Sequence, residues 1–203
     1  MPSSAPDSLH HRPRLVLASN SPRRRQLLTE LGVDYEVRLR EVDESFPPHL
    51  VRAEVAEYLA AHKASAYASE LAPDELLLTA DTIVCLDNDV LNKPADAAEA
   101  IQMLQRLQGR AHEVYTGVCL LAGDGRRVVF SDQTRVHFRP LSLPEIEHYV
   151  THYKPLDKAG AYGAQDWIGM VAVTQLEGSY FNVMGLPVHR VWEELEKFGA
   201  VGL

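Results

Sequence analysis

The sequence predicts an α/β fold built on a mixed sheet, on three observations. Helical and strand-like segments alternate along the chain without any internal repeat. Residues 76–86 form an apolar run, interrupted once by Thr79-Ala80-Asp81-Thr82, that suits a strand covered on both faces. Two further strand-like stretches, 114–121 and 126–138, are joined by Gly123-Asp124-Gly125 and read as a hairpin. At 203 residues and 46% hydrophobic content, the chain can bury a real core as one large domain or two small lobes.

Taken in order, residues 1–13 are rich in Ser, Pro and His without periodicity, so a disordered leader is expected ahead of a folded domain over 14–203. Leu15-Val16-Leu17 makes a short strand that runs into the polar turn Ala18-Ser19-Asn20-Ser21. Pro22 opens a helix with Leu27, Leu28 and Leu31 on its apolar face and Gly32 as its stop. Tyr35, Val37 and Leu39 alternate with polar residues as in a half-buried strand that ends at Glu41-Val42-Asp43-Glu44. Beyond Pro47 and Pro48, Val51, Val55, Leu59 and Ala66 recur at helical spacing to roughly residue 70.

After the apolar strand, Asp87-Asn88-Asp89 turns into Val90-Leu91, and Asn92-Lys93-Pro94 breaks the chain before a helix carrying Ile101, Leu104 and Leu107. Gly109 closes that helix, and the hairpin follows. Pro144 starts a short helix to about Thr151, a long loop covers 153–165, and 168–176 reads as a strand. Gly178-Ser179-Tyr180-Phe181-Asn182 reads as a turn, and Pro187 opens a last helix with Val188, Val191, Trp192, Leu195 and Phe198 on one face.

Charge narrows the function. A net charge of −8 argues against a broad basic surface for nucleic acid, so local basic clusters point to a small anionic ligand. No run approaches the length of a membrane span and the N-terminal stretch lacks the apolar middle of a signal peptide, so a cytoplasmic protein is expected. Cys85 and Cys119, each in apolar surroundings, have neither a metal-site spacing nor a disulfide framework and read as buried free thiols.

Arg23, Arg24 and Arg25 crowd the first turn of the helix behind Pro22, where the partial positive charge of a helix N-terminus disfavours cations. Either they form a solvated basic face, or an anion such as a phosphate sits among them. Asp81 lies inside the apolar run 76–86, where a carboxylate must be paired, protonated or metal-bound, or else caps a turn at the strand's end. Lys63 and Lys93 flank it in sequence, and each alone reads as an ordinary surface lysine. Together with Ser19, Arg23, Arg24 and Glu44 they suit a polyphosphate and a divalent cation, since hard cations choose carboxylate, phosphate and water while arginines grip phosphate bidentately. No P-loop pattern is present, and His148 and His152 at i, i+4 lack the glutamate of a zinc protease and read as helix surface.

The segment Leu17-Ala18-Ser19-Asn20-Ser21-Pro22-Arg23-Arg24-Arg25 resembles the signature of the Maf family of nucleoside triphosphate pyrophosphatases. Further matches follow in order: Asp43-Glu44-Ser45, His62-Lys63-Ala64, Ala80-Asp81-Thr82-Ile83-Val84, Asn92-Lys93-Pro94, Tyr115-Thr116-Gly117, the run from Asp157 to Gly163, and Gly178-Ser179-Tyr180. The resemblance implies a fold like that of the inosine triphosphatase superfamily, an elongated mixed sheet flanked by helices with two lobes and a central cleft. It implies cleavage of a nucleoside triphosphate to the monophosphate and pyrophosphate with Mg²⁺ or Mn²⁺.

By position, Ser19, Arg23 and Arg24 would cradle the triphosphate, Lys63 and Lys93 would neutralise it, and Glu44 and Asp81 would hold the metal, with Asp81 activating water. Gln165 matches a glutamine of the branch similar to members that prefer dTTP, UTP and modified uridine triphosphates. Asp166-Trp167 follows it where many members have glycine. The family is commonly dimeric, so a homodimer is expected, with no nucleic acid or membrane partner. A nucleotide-sensing or division-regulating binding protein with little turnover, and a phosphatase that removes the terminal phosphate, are the competing expectations.

Overall fold

A computed structural model describes residues 12–202. The leader expected over 1–13 therefore falls almost wholly outside the described residues. Within them, seven strands form one mixed sheet in the order β2-β1-β3-β5-β6-β7, with β4 also paired to β3. β1 (Arg14–Leu17) runs parallel to β2 (Tyr35–Val37) and to β3 (Glu75–Leu86). β3, β5 (Ala111–Ala122), β6 (Arg127–Phe138) and β7 (Val173–Glu177) are antiparallel in succession, and β4 (Asp89–Leu91) folds back antiparallel on β3. The expected hairpin is β5–β6, closed where the Asp124 carboxylate accepts the Arg126 N–H at 2.9 Å.

The apolar run becomes β3, and alternation along it decides what each side chain meets. Leu77, Ile83 and Cys85 face α2 (Ala53–Ser65), with the Thr79 hydroxyl donating to the Ala60 carbonyl at 2.7 Å. Leu76, Leu78 and Ala80 face the other way, into a cluster with Leu27 and Leu28 of α1 (Pro22–Glu30) and Val188, Val191 and Leu195 of α7 (Val188–Lys197). Val84 and Leu86 lie on that same face but join a second cluster, built with α3 (Ala97–Leu107), α4 (Leu143–Tyr153) and α5 (Trp167–Ala172). The two lobes are these two clusters at opposite ends of the long strands, and Thr82 falls between them. The fold is thus the expected mixed α/β sheet flanked by helices.

Four local expectations are corrected. Of the strand expected over 168–176, only 173–176 is extended, in β7, and 168–172 belongs to α5: Ile168 and Ala172 are buried four apart while Met170 is 74% exposed, a helical rather than an alternating pattern. Residues 180–184 are α6 (Tyr180–Met184), a short helix capped by the Ser179 hydroxyl and ended by Gly185 at φ 118°. The second strand stops at Val37, because its partner β1 ends at Leu17, and Leu39 is left 52% exposed. α2 begins after the exposed Val51 and ends at Ser65, where the chain turns to bury Tyr67.

Cys85 and Cys119 are buried free thiols, as read, each held protonated by burial that pushes its pKa up to about 11. His148 and His152 sit on the exposed face of α4 with rings 4.3 Å apart. Among the described residues no helix is long and apolar enough to cross a membrane.

Candidate active site

β1 covers one edge of β3 only as far as Leu78, and β4 covers the same edge only from Val84. The stretch between them has no strand partner on that side, and Ala80, Asp81 and Thr82 there form the floor of a cleft of about 1100 Å³. An open edge in mid-sheet leaves backbone groups and both faces of the strand within reach of a ligand. The cleft gathers all eight residues singled out from the sequence: Ser19, Arg23, Arg24, Glu44, Lys63, Asp81, Lys93 and Gln165.

The turn after β1 places Ser19 in the wall, where its hydroxyl accepts the Ser21 N–H at 3.2 Å and Arg24 Nη1 at 3.3 Å. Ser21, not Ser19, caps α1 by accepting the Arg24 N–H. The arginines then divide. Arg23 Nε donates to the Met184 carbonyl at 3.2 Å and Arg24 Nε to the Gly185 carbonyl at 2.8 Å, both at the C-terminal end of α6. Arg25 turns back to the Ser19 carbonyl and the Asn20 side chain and does not line the cleft. The expected cost of cations at this helix N-terminus is thus offset partly by carbonyls from a neighbouring helix end, where partial negative charge collects. Asp157, 3.5 Å from Arg23 Nη1, adds a carboxylate. Desolvation pulls the Arg24 pKa down, opposed by the charge of Asp81.

Asp81 faces α2, and Lys63 in the last turn of that helix meets its Oδ1. The same ammonium donates to Glu44 Oε1 at 2.8 Å, and Lys93 donates to Glu44 Oε2 at 2.9 Å. Burial pushes the Glu44 carboxyl up, but the hydrogen bonds and charges of the two lysines outweigh it and bring its pKa down to about 2. Gln165 points a buried Oε1 that has no hydrogen-bond partner among the described residues. Asp166, next along the chain, accepts the Tyr149 hydroxyl at 2.8 Å.

Sequence reasoning gave no role to several residues the cleft also contains. Thr82 accepts from Arg24 Nη2 at 3.0 Å, and Lys158 lies 2.8 Å from Asp157. Tyr162 joins its hydroxyl to the buried His112 Nε2 at 2.8 Å. Thr82 adjoins Asp81, and Asp157, Lys158 and Tyr162 lie in one of the matched blocks, so block membership was the available signal.

No group of three or more His, Cys, Asp and Glu side chains that could hold a metal occurs among the described residues. Glu44 and Asp81 nonetheless converge on a single cationic point, the Lys63 ammonium. Two carboxylates so placed fit a hard divalent cation whose remaining ligands are phosphate oxygens and water.

A dTTP/UTP pyrophosphatase of Bacteroides thetaiotaomicron is 50% identical over 185 residues, 91% of this chain and 95% of its own length. A dTTP/UTP pyrophosphatase of Phocaeicola vulgatus is 51% identical over the same shares. Among solved structures, a nucleoside-triphosphatase / dITP/XTP pyrophosphatase of Mycobacterium abscessus covers 92% of this chain and 96% of its own, at 15% identity and a TM-score of 0.44. The family model described as Maf-like protein matches residues 14–198, the whole span that carries the sheet and the cleft, and the chain belongs to that family.

Proposed function

We propose that this protein hydrolyses nucleoside triphosphates, dTTP, UTP and modified uridine triphosphates foremost, to the monophosphate and pyrophosphate with the help of Mg²⁺ or Mn²⁺. The observation that carries the reading is the cleft itself: in a chain of net charge −8, Arg23, Arg24, Lys63 and Lys93 line one cavity together with Glu44 and Asp81. That set supplies what hydrolysis at the α phosphate needs, namely a general base, cations for the charge spreading over the phosphoryl oxygens, and a neutralised pyrophosphate leaving group. The names of the relatives, dTTP/UTP pyrophosphatase, support the substrate class.

In this reading Ser19, Arg23 and Arg24 hold the triphosphate, with the arginine forks oriented by the α6 carbonyls. Lys63 and Lys93 neutralise the tail as point charges. Glu44 and Asp81 would hold the divalent metal, which when bound would polarise a phosphoryl oxygen and lower the pKa of a ligand water. Lys63 occupies Asp81 Oδ1, which leaves Oδ2 to accept the proton of the attacking water. The unpartnered Gln165 Oε1 suits the imide N–H of a uracil or thymine ring, a donor that cytosine and adenine lack at the corresponding position. Two free thiols suit a reducing compartment such as the cytoplasm.

The test is product analysis with Mg²⁺ or Mn²⁺ present. Pyrophosphate and monophosphate from UTP and dTTP, with nothing from a UMP control, are expected. Orthophosphate with UDP would identify a terminal phosphatase. Tight UTP binding without turnover would identify a sensor.

A further inference from the structure

A hydrogen-bond chain runs away from the cleft behind Arg24, and the donor inventory sets its direction. Arg24 Nη2 lies 3.0 Å from Thr82 Oγ1, the Thr82 and Thr116 hydroxyls are 2.9 Å apart, and Thr116 Oγ1 lies 2.9 Å from the Asn182 carbonyl. A carbonyl only accepts, so the single proton of Thr116 goes to Asn182. A guanidinium only donates, so Thr82 must accept from Arg24. The Thr82 proton is then left with Thr116 as its acceptor.

The far end of the chain is rigid. Asn182 is fully buried, and its Nδ2 donates to the Val114 carbonyl at 3.1 Å and to Thr134 Oγ1 at 3.0 Å. Thr134 spends its own proton on the Ser179 carbonyl at 2.9 Å. The Asn182 carbonyl also takes the Gly185 N–H at 3.0 Å, and the Gly185 carbonyl is the acceptor for Arg24 Nε. Both donors on that side of the Arg24 fork are therefore tied to the same short stretch of α6, one directly and one through two threonines. Thr116 is fully buried and does not line the cleft.

We propose that Thr116 is a positioning residue for triphosphate hydrolysis: by taking the Thr82 proton it makes the Thr82 oxygen present its lone pairs to Arg24, and so fixes the guanidinium plane toward the substrate. This rests on the nucleotide-hydrolase reading above. Without the Thr116 hydroxyl, Thr82 is free to rotate and turn its proton toward the guanidinium, and a charge-assisted hydrogen bond is lost.

Thr116→Val preserves the branched shape on β5 and removes the acceptor, whereas Thr116→Ser keeps it. Thr116→Val should lower kcat/KM for UTP and dTTP about tenfold, and Thr116→Ser should retain most of the activity. In a cycle with Thr82→Val, which cuts the chain upstream, the Thr116→Val loss should largely vanish, because both changes remove one shared effect. Affinity for a UTP analogue with a methylene bridge between the α and β phosphates, measured by calorimetry on the same variants, should follow the same pattern. That readout holds even if the wild-type protein turns nothing over, so failure of the hydrolase reading is distinguishable. Unchanged Thr116→Val, an equal loss in Thr116→Ser, or additive losses in the double variant would overturn the proposal.

Discussion

Asp81 and Thr82 are neighbours in sequence that serve opposite faces of β3. Asp81 meets Lys63 on the α2 side, while Thr82 meets Arg24 between the two hydrophobic clusters. A carboxylate as buried as Asp81 is tolerated because an ammonium is provided for it. Asp81→Asn keeps the shape and a hydrogen-bonding oxygen but removes the proposed proton acceptor, so turnover should fall by about two or more orders of magnitude with little change in Tm. Pyrophosphate release and thermal melting, measured side by side, check this. His112 is another buried titratable group. Burial, and then the charge of nearby His137, hold its pKa down to about 3 from an ordinary 6.5. A depressed histidine contributes stability that is fully present above the unfolded pKa and is lost as pH falls through the folded one. The wild-type protein should therefore lose stability between pH 6.5 and about 3, and His112→Gln should flatten that limb of a Tm against pH curve.

At the scale of elements, the position of α2 matters most, because it carries Lys63 to Asp81. Gly117 on β5 is what lets it come so close: a Cβ there would sit 2.1 Å from the Ala56 carbonyl oxygen of α2. The Tyr115-Thr116-Gly117 block thus combines a helix-packing glycine with the proton acceptor for Thr82. Gly117→Ala should force α2 outward, cost about 1–3 kcal/mol by denaturant unfolding, and lower kcat as Lys63 withdraws. α6 shows the reverse economy. Five residues long, it reads as a turn in the sequence, yet the carbonyls at its C-terminal end orient Arg23 and Arg24. Short helices of this kind carry too little periodicity to stand out, and only their packing reveals them.

For the whole molecule, the question is whether the two clusters behave as one. β3, β5 and β6, each 12 residues long, thread both, so neither can lose its sheet without exposing the other. Arg23 on α1 reaches Asp157 at 3.5 Å across the cleft, adding a tie between the two sides. Trp167 packs on one cluster and Trp192 on the other, which gives each its own reporter. Single-tryptophan variants, Trp167→Phe and Trp192→Phe, should unfold with coincident denaturant midpoints once each variant is referred to its own circular-dichroism transition. Separate fluorescence and circular-dichroism midpoints in either variant would show two independently melting lobes.

Much of this was legible in the residues alone. Apolar alternation and helical spacing marked most elements, and the β5–β6 turn announced itself through glycine and aspartate. The arginines behind Pro22 and the aspartate in an apolar run were conspicuous because each placed charge where it is costly without a partner. What tertiary structure alone decided was which partner. The gap between β1 and β4 along β3, the turning away of Arg25, and the threonine chain behind Arg24 all depend on strand register and on groups far apart in the chain. Local sequence determines which residues prefer to be helical, extended or buried, since those preferences arise within a few residues. Hydrogen bonds and ion pairs are satisfied through space, so only the closed fold determines where each proton and each charge comes to rest.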